Sequence, residues 1–139
     1  MARRVLLVDT SVAVPLVVAD HGSHAAVRSA VGGARLGLAG HAAFETFSVL
    51  TRLPAPARRG AATVSRLLEA NFPATCFLPE PAATDLLARL ARLGIAGGAV
   101  YDALVGAVAV HHSLPLLTRD ERALDTYRAL DARHELVLS

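Results

Sequence analysis

The chain has 139 residues, 53% apolar and 19% charged, which suits one domain with a sizeable core and excludes a disordered tail. Its single cysteine, Cys76, excludes an internal disulfide and a cysteine-rich zinc site. All 14 basic residues are arginine, which excludes a P-loop lysine and a Schiff-base lysine, and the net charge of +2 permits an acidic partner without requiring one.

Residues 5–8 (Val-Leu-Leu-Val) are a short continuous apolar run, the mark of a strand buried on both faces. Asp9, Thr10 and Ser11 follow with helix-capping chemistry. Residues 2–20 imitate a signal peptide, but Asp9 splits the apolar stretch, so the segment reads as folded structure. A helix is predicted over 23–31, closed by Gly32 and Gly33, and a weak strand over 35–39. Helix 41–53 carries Phe44, Phe47 and Leu50 at helical spacing and stops at Pro54. Residues 54–62 read as a helix–helix loop, and helix 61–72 turns Val64, Leu67 and Leu68 inward. Residues 75–78 form a strand between prolines. Helix 82–93 sets Leu86, Leu87, Leu90 and Leu93 against Arg89 and Arg92. An apolar helix over 98–112, a strand over 114–118, a helix over 121–130 and a strand over 135–138 complete the chain. Residues 93–118 are mostly apolar, but Asp102, the glycines and Pro115 argue against a membrane span.

Strands alternating with helices predict an α/β fold: three layers, α/β/α, around a mainly parallel sheet of about five strands, as one domain over 1–139. Ligand sites in such sheets lie at the carboxyl ends of the strands. Four carboxylates stand out there and on the apolar helices. Asp9 closes the first strand and Asp120 follows the strand 114–118. Glu45 lies between Phe44 and Phe47, and Asp102 is the only Asp, Glu, Lys or Arg between Arg92 and Arg119.

A buried lone carboxylate costs several kcal/mol unless it is paired, protonated or bound to a cation. Each acid also has a structural explanation. Asp9 and Asp120 suit helix N-caps, and Glu45 could pair with Arg52. Asp102 has neither a cap position nor a local partner. A divalent cation would offset the repulsion within a cluster of acids, and magnesium takes one or two carboxylates while keeping waters. Gly106, one turn after Asp102, either opens space over that carboxylate or serves close helix packing.

The chain resembles the PIN domain family over nearly its whole length. The resemblance rests on Val8-Asp9-Thr10-Ser11, Phe44-Glu45-Thr46, Tyr101-Asp102-Ala103-Leu104-Val105-Gly106-Ala107 and Leu117-Thr118-Arg119-Asp120, in this order. The short single-domain form is similar to the VapC toxins of bacterial toxin–antitoxin modules. That resemblance implies a Mg²⁺- or Mn²⁺-dependent endoribonuclease, homodimeric and blocked by a cognate VapB antitoxin, while the single cysteine fits a reducing, cytoplasmic compartment. It implies Asp9, Glu45, Asp102 and Asp120 as the catalytic and metal-binding acids, Asp9 and Asp102 being the most dependable. Ser11 and Thr118 would stand beside them as hydroxyl ligands or substrate contacts. Arg119 and Arg122, flanking Asp120, would meet RNA or the antitoxin.

A non-catalytic RNA- or protein-binding domain of the same fold is the competing reading, and the intact set of four acids argues against it. A haloacid-dehalogenase-type phosphatase wants Asp-x-Asp after the first strand, where Ser11 stands, and a receiver domain wants an acidic pair and a lysine. The adjacent His111 and His112 do not share a helix face and suit a helix C-terminus better than zinc. Cys76 reads as a core residue.

Overall fold

The computed structural model describes residues 3–138, so the ends of the expected 1–139 domain lie outside the described residues. In chain order the elements are β1 (Val5–Val8), α1 (Thr10–Val17), α2 (His24–Val31), β2 (Arg35–Leu38), α3 (His41–Thr51), α4 (Ala61–Asn71), α5 (Glu80–Arg89) and α6 (Ala99–His112). They continue with β3 (Leu116–Thr118), a 3₁₀ turn (Glu121–Ala123), α7 (Leu124–Ala129) and β4 (His134–Leu136). The strands form one parallel sheet in the order β2-β1-β3-β4.

Strand periodicity divides the core. Leu6 and Val8 join Val12, Val27, Leu36, Leu38 and Phe72 on one face of the sheet. Leu7 faces the other way, into Val105, Val108, Ala109 and Tyr127. Helices therefore cover both faces, giving the expected three layers.

Two elements depart from the sequence reading. The predicted fifth strand at 75–78 is reduced to a single bridge, Ala39 to Cys76. The Thr75 hydroxyl takes the Leu38 amide at 3.0 Å and donates to the Phe72 carbonyl at 2.8 Å, so a side chain occupies a place that a backbone ladder would use. The segment still runs close to β2: a Cβ on Gly37 would lie 2.3 Å from the Ala74 carbonyl oxygen, so only glycine fits there.

The second departure is α1, a helix that the apolar run after Ser11 did not announce. It is apolar almost throughout and buries Val12, Ala13 and Pro15. Pro15 has no amide hydrogen, so the Ser11 carbonyl four residues earlier lacks its helical donor. The Arg119 guanidinium supplies one instead, at 3.0 Å. Elsewhere the shifts are at element ends. Helix α5 starts at Glu80 rather than 82, with Pro81 in its first turn, a position that needs no amide donor. No described helix is long and apolar enough to cross a membrane.

Candidate active site

Strands β1 and β3 are neighbours, and their carboxyl ends carry Asp9 and, two residues past β3, Asp120. Helices α3 and α6 bring Glu45 and Asp102 to the same place. All four acids line one cleft of about 190 Å³, together with Thr10, Ser11, Val105 and Tyr127.

Asp9 is 6% exposed and caps α1. Its Oδ1 accepts from the Ser11 amide at 3.1 Å and from the Ser11 hydroxyl, and its Oδ2 accepts from the Tyr127 hydroxyl at 2.8 Å. Burial drives its pKa up; the bonds from Ser11, Thr118 and Tyr127 pull it back, and the charge of Asp120 adds to the rise. The cap role and a place in the cleft thus coexist in one side chain.

Asp102 sits in the first turn of α6. Burial first, then the negative charges of Asp120, Asp9 and Glu45, push its pKa up to about 6, while Arg122 works the other way. Glu45 is exposed at the edge of the cleft. The Arg52 that could have paired with it donates instead to Ser48 Oγ at 3.3 Å. Asp120 caps the 3₁₀ turn: its Oδ1 accepts from the Arg122 amide at 3.0 Å and lies 3.4 Å from Arg122 Nε. Burial raises the Tyr127 hydroxyl pKa strongly, and the charge and hydrogen bond of Asp9 add to it, so the group stays a proton donor.

The hydroxyls join the strand ends. Ser11 Oγ accepts from the Arg119 amide at 2.8 Å and lies 3.4 Å from Thr118 Oγ1, which accepts from the Asp120 amide at 3.0 Å. Ser11 lines the cleft, whereas Thr118 is fully buried behind it.

The two arginines differ. The Arg119 guanidinium is engaged by the Ser11 carbonyl and by Ser23 Oγ at 2.7 Å, and its Nε is buried among the described residues without a partner. It ties α1 to the end of β3. Arg122, with its side chain 93% exposed, stands at the rim.

Tyr127 escaped the sequence reading. Nothing in the helix predicted over 121–130 marked its hydroxyl as aimed at Asp9; the available signal was that a buried tyrosine needs a polar partner. Gly106 proves to serve packing: a Cβ there would lie 3.1 Å from both Leu130 Cδ1 and Tyr127 Cδ1. Thr10 and Val105 were also missed. His111 and His112 pack edge to face on the last turn of α6, and His112 Nε2 lies 2.9 Å from the Phe77 carbonyl, away from the acids. Cys76 is half-buried against the α6–α7 side of the core.

No basic side chain is among the described residues that line the cleft. Its donors are carboxylate and hydroxyl oxygens, which suit a hard cation. Among the described residues no three Asp, Glu, His or Cys side chains converge on one ion position. Water would therefore complete the shell of any ion held there, as magnesium prefers.

Comparison with known proteins agrees with this architecture. The PIN domain pattern matches residues 6–129. A curated relative from Mycobacterium tuberculosis, "Ribonuclease VapC27", is 47% identical over 125 residues, covering 90% of this chain and 91% of the relative. Among solved structures, FitAcB from Neisseria gonorrhoeae superposes with a TM-score of 0.69 at 17% identity, covering 93% of this chain and 95% of that one. VapBC2 from Rickettsia felis, bound to a DNA fragment from its promoter, gives 0.67 at 11% identity, covering 96% and 99%. With a parallel sheet, an acidic cleft at its strand ends and near full-length matches, the chain belongs to the PIN domain family.

Proposed function

We propose that the chain is a VapC-type toxin, a divalent-metal-dependent endoribonuclease that acts in the cytoplasm as one domain. The observation that carries this reading is the convergence of Asp9, Glu45, Asp102 and Asp120, from four separate segments, on one cleft. The identity to a named ribonuclease over most of both chains supports it.

In this reading Asp9 and Asp102 hold the cation, with Glu45 and Asp120 completing the negative field. Mg²⁺ or Mn²⁺ would supply a Lewis acid for the scissile phosphate and acidify water near neutral pH. The chain's own residues prepare that site. Ser11 and Tyr127 each fix one oxygen of Asp9, so the carboxylate cannot rotate. The raised pKa of Asp102 reflects burial first and then repulsion from Asp120, Asp9 and Glu45, and a cation would offset that repulsion. Arg122, exposed beside Asp120, would meet a flanking RNA phosphate in this reading. A VapB-type antitoxin is the proposed partner, supported by the likeness to a VapBC assembly. A homodimer is proposed as well, supported by exposed apolar side chains such as Leu87 and Val110.

The test is cleavage of total RNA by the wild-type chain and by Asp102→Asn, each with Mg²⁺, Mn²⁺ or EDTA. Discrete fragments from wild type alone, lost in EDTA, are expected. Equal cutting by a folded Asp102→Asn chain would overturn the reading.

A further inference from the structure

The described surface carries aromatic side chains that the acidic cleft does not use. Of the four Phe and two Tyr, Phe44, Phe77 and Tyr101 are exposed, at 66%, 51% and 54%. Tyr101 on α6 stacks on His41 at the start of α3, with ring centroids 4.9 Å apart and planes 21° from parallel. Phe44, one turn after His41 on the same helix, meets Phe77 at 6.0 Å.

This stack adjoins the acids from both helices. Tyr101 immediately precedes Asp102, and His41 lies one helical turn before Glu45 on the same face of α3. His41 stacks against the Tyr101 ring, and Tyr101 remains 54% exposed. A flat, backed aromatic surface of this kind receives another flat ring by stacking.

We infer that the His41–Tyr101 stack is a base-stacking platform, which receives an unpaired nucleobase of RNA beside the phosphate held at the acidic cleft. The inference rests on the ribonuclease reading and names how the substrate is gripped. Stacking tolerates any base, because every base has a π-face, and it requires a single strand, because paired bases keep their faces covered. The platform therefore selects unpaired RNA and contributes little to the choice of sequence.

The test uses Asp102→Asn, expected to bind without cutting, in Mg²⁺. Adding Tyr101→Trp places the only indole in a chain that has no tryptophan. Its fluorescence is expected to be quenched by short single-stranded RNA and not by a duplex of the same sequence. Tyr101→Ala in the same background is expected to weaken binding about 5- to 100-fold, by fluorescence anisotropy, and Tyr101→Phe less than about twofold. Unchanged affinity in Tyr101→Ala overturns the platform. So does a smaller particle mass for Tyr101→Ala by light scattering with RNA affinity kept, because the ring then belongs to a contact between copies. Cleavage by the unaltered chain is scored separately. If that chain cuts RNA while Tyr101→Ala costs nothing, only the platform falls; if it does not cut while Tyr101→Ala loses binding, the platform stands and the ribonuclease reading falls.

Discussion

Asp102 shows at the scale of one residue how a reactive site is held at a cost. It lies on a mostly apolar helix, and burial together with three neighbouring acids raises its pKa from the ordinary 3.8 to about 6. A raised acid binds its proton more tightly in the folded chain than in the unfolded one. Between about pH 4 and pH 6 the folded state thus holds more protons, and stability falls as pH rises through that window. Asp102→Asn removes the ionisable group. In EDTA its melting temperature is expected to exceed that of wild type above pH 6, and the gap to narrow as pH falls toward 4. Thermal melts of both chains at several pH values check this; a gap that does not depend on pH would contradict the electrostatic account. Such a gain in stability with loss of activity is the usual trade at a functional site.

At the scale of elements, the junction of α1 with β3 depends on a missing hydrogen. Pro15 leaves the Ser11 carbonyl without its helical donor, and the Arg119 guanidinium fills the gap at 3.0 Å. Arg119→Ala would strand that carbonyl, at about 1–3 kcal/mol. Pro15→Ala restores the helical amide, so Arg119→Ala is expected to cost less in that background. The four chains of the double-mutant cycle, unfolded in urea, measure the difference; strict additivity would mean that the carbonyl is satisfied otherwise. The same junction explains an illegible role. From the sequence, Arg119 beside Asp120 suggested a contact for RNA or antitoxin; its bond to the Ser11 carbonyl was not legible there, because nothing local links it to a proline over 100 residues earlier. Helix α1 itself was hidden for a related reason: apolar on all sides, with an internal proline, it shows no amphipathic period.

At the scale of the whole molecule, the sheet order β2-β1-β3-β4 puts β1 and β3 at its centre, so acids far apart in sequence share one cleft. Like charges at that junction oppose folding until a cation arrives. Millimolar Mn²⁺ is therefore expected to raise the melting temperature of the wild-type chain, by about 2.7 kcal/mol of added stability where the ion is at 100 times its Kd. Asp102→Asn is expected to respond weakly or not at all. Equal shifts in both chains would place the ion elsewhere.

The order of strands and helices was legible in the sequence because buried strands and amphipathic helices leave different periodicities in apolar residues. Asp9, Glu45, Asp102 and Asp120 were legible as a group because charge is costly where their neighbours are apolar. Tertiary structure alone decided the rest. It turned the segment 75–78 from a strand into a bridge, through a threonine hydroxyl, and it aimed Tyr127 at Asp9 across 118 residues. It also stacked His41 on Tyr101. Periodicity reports which face of an element is buried; which polar atom meets which is set by how the elements pack, and that information is not local in the chain.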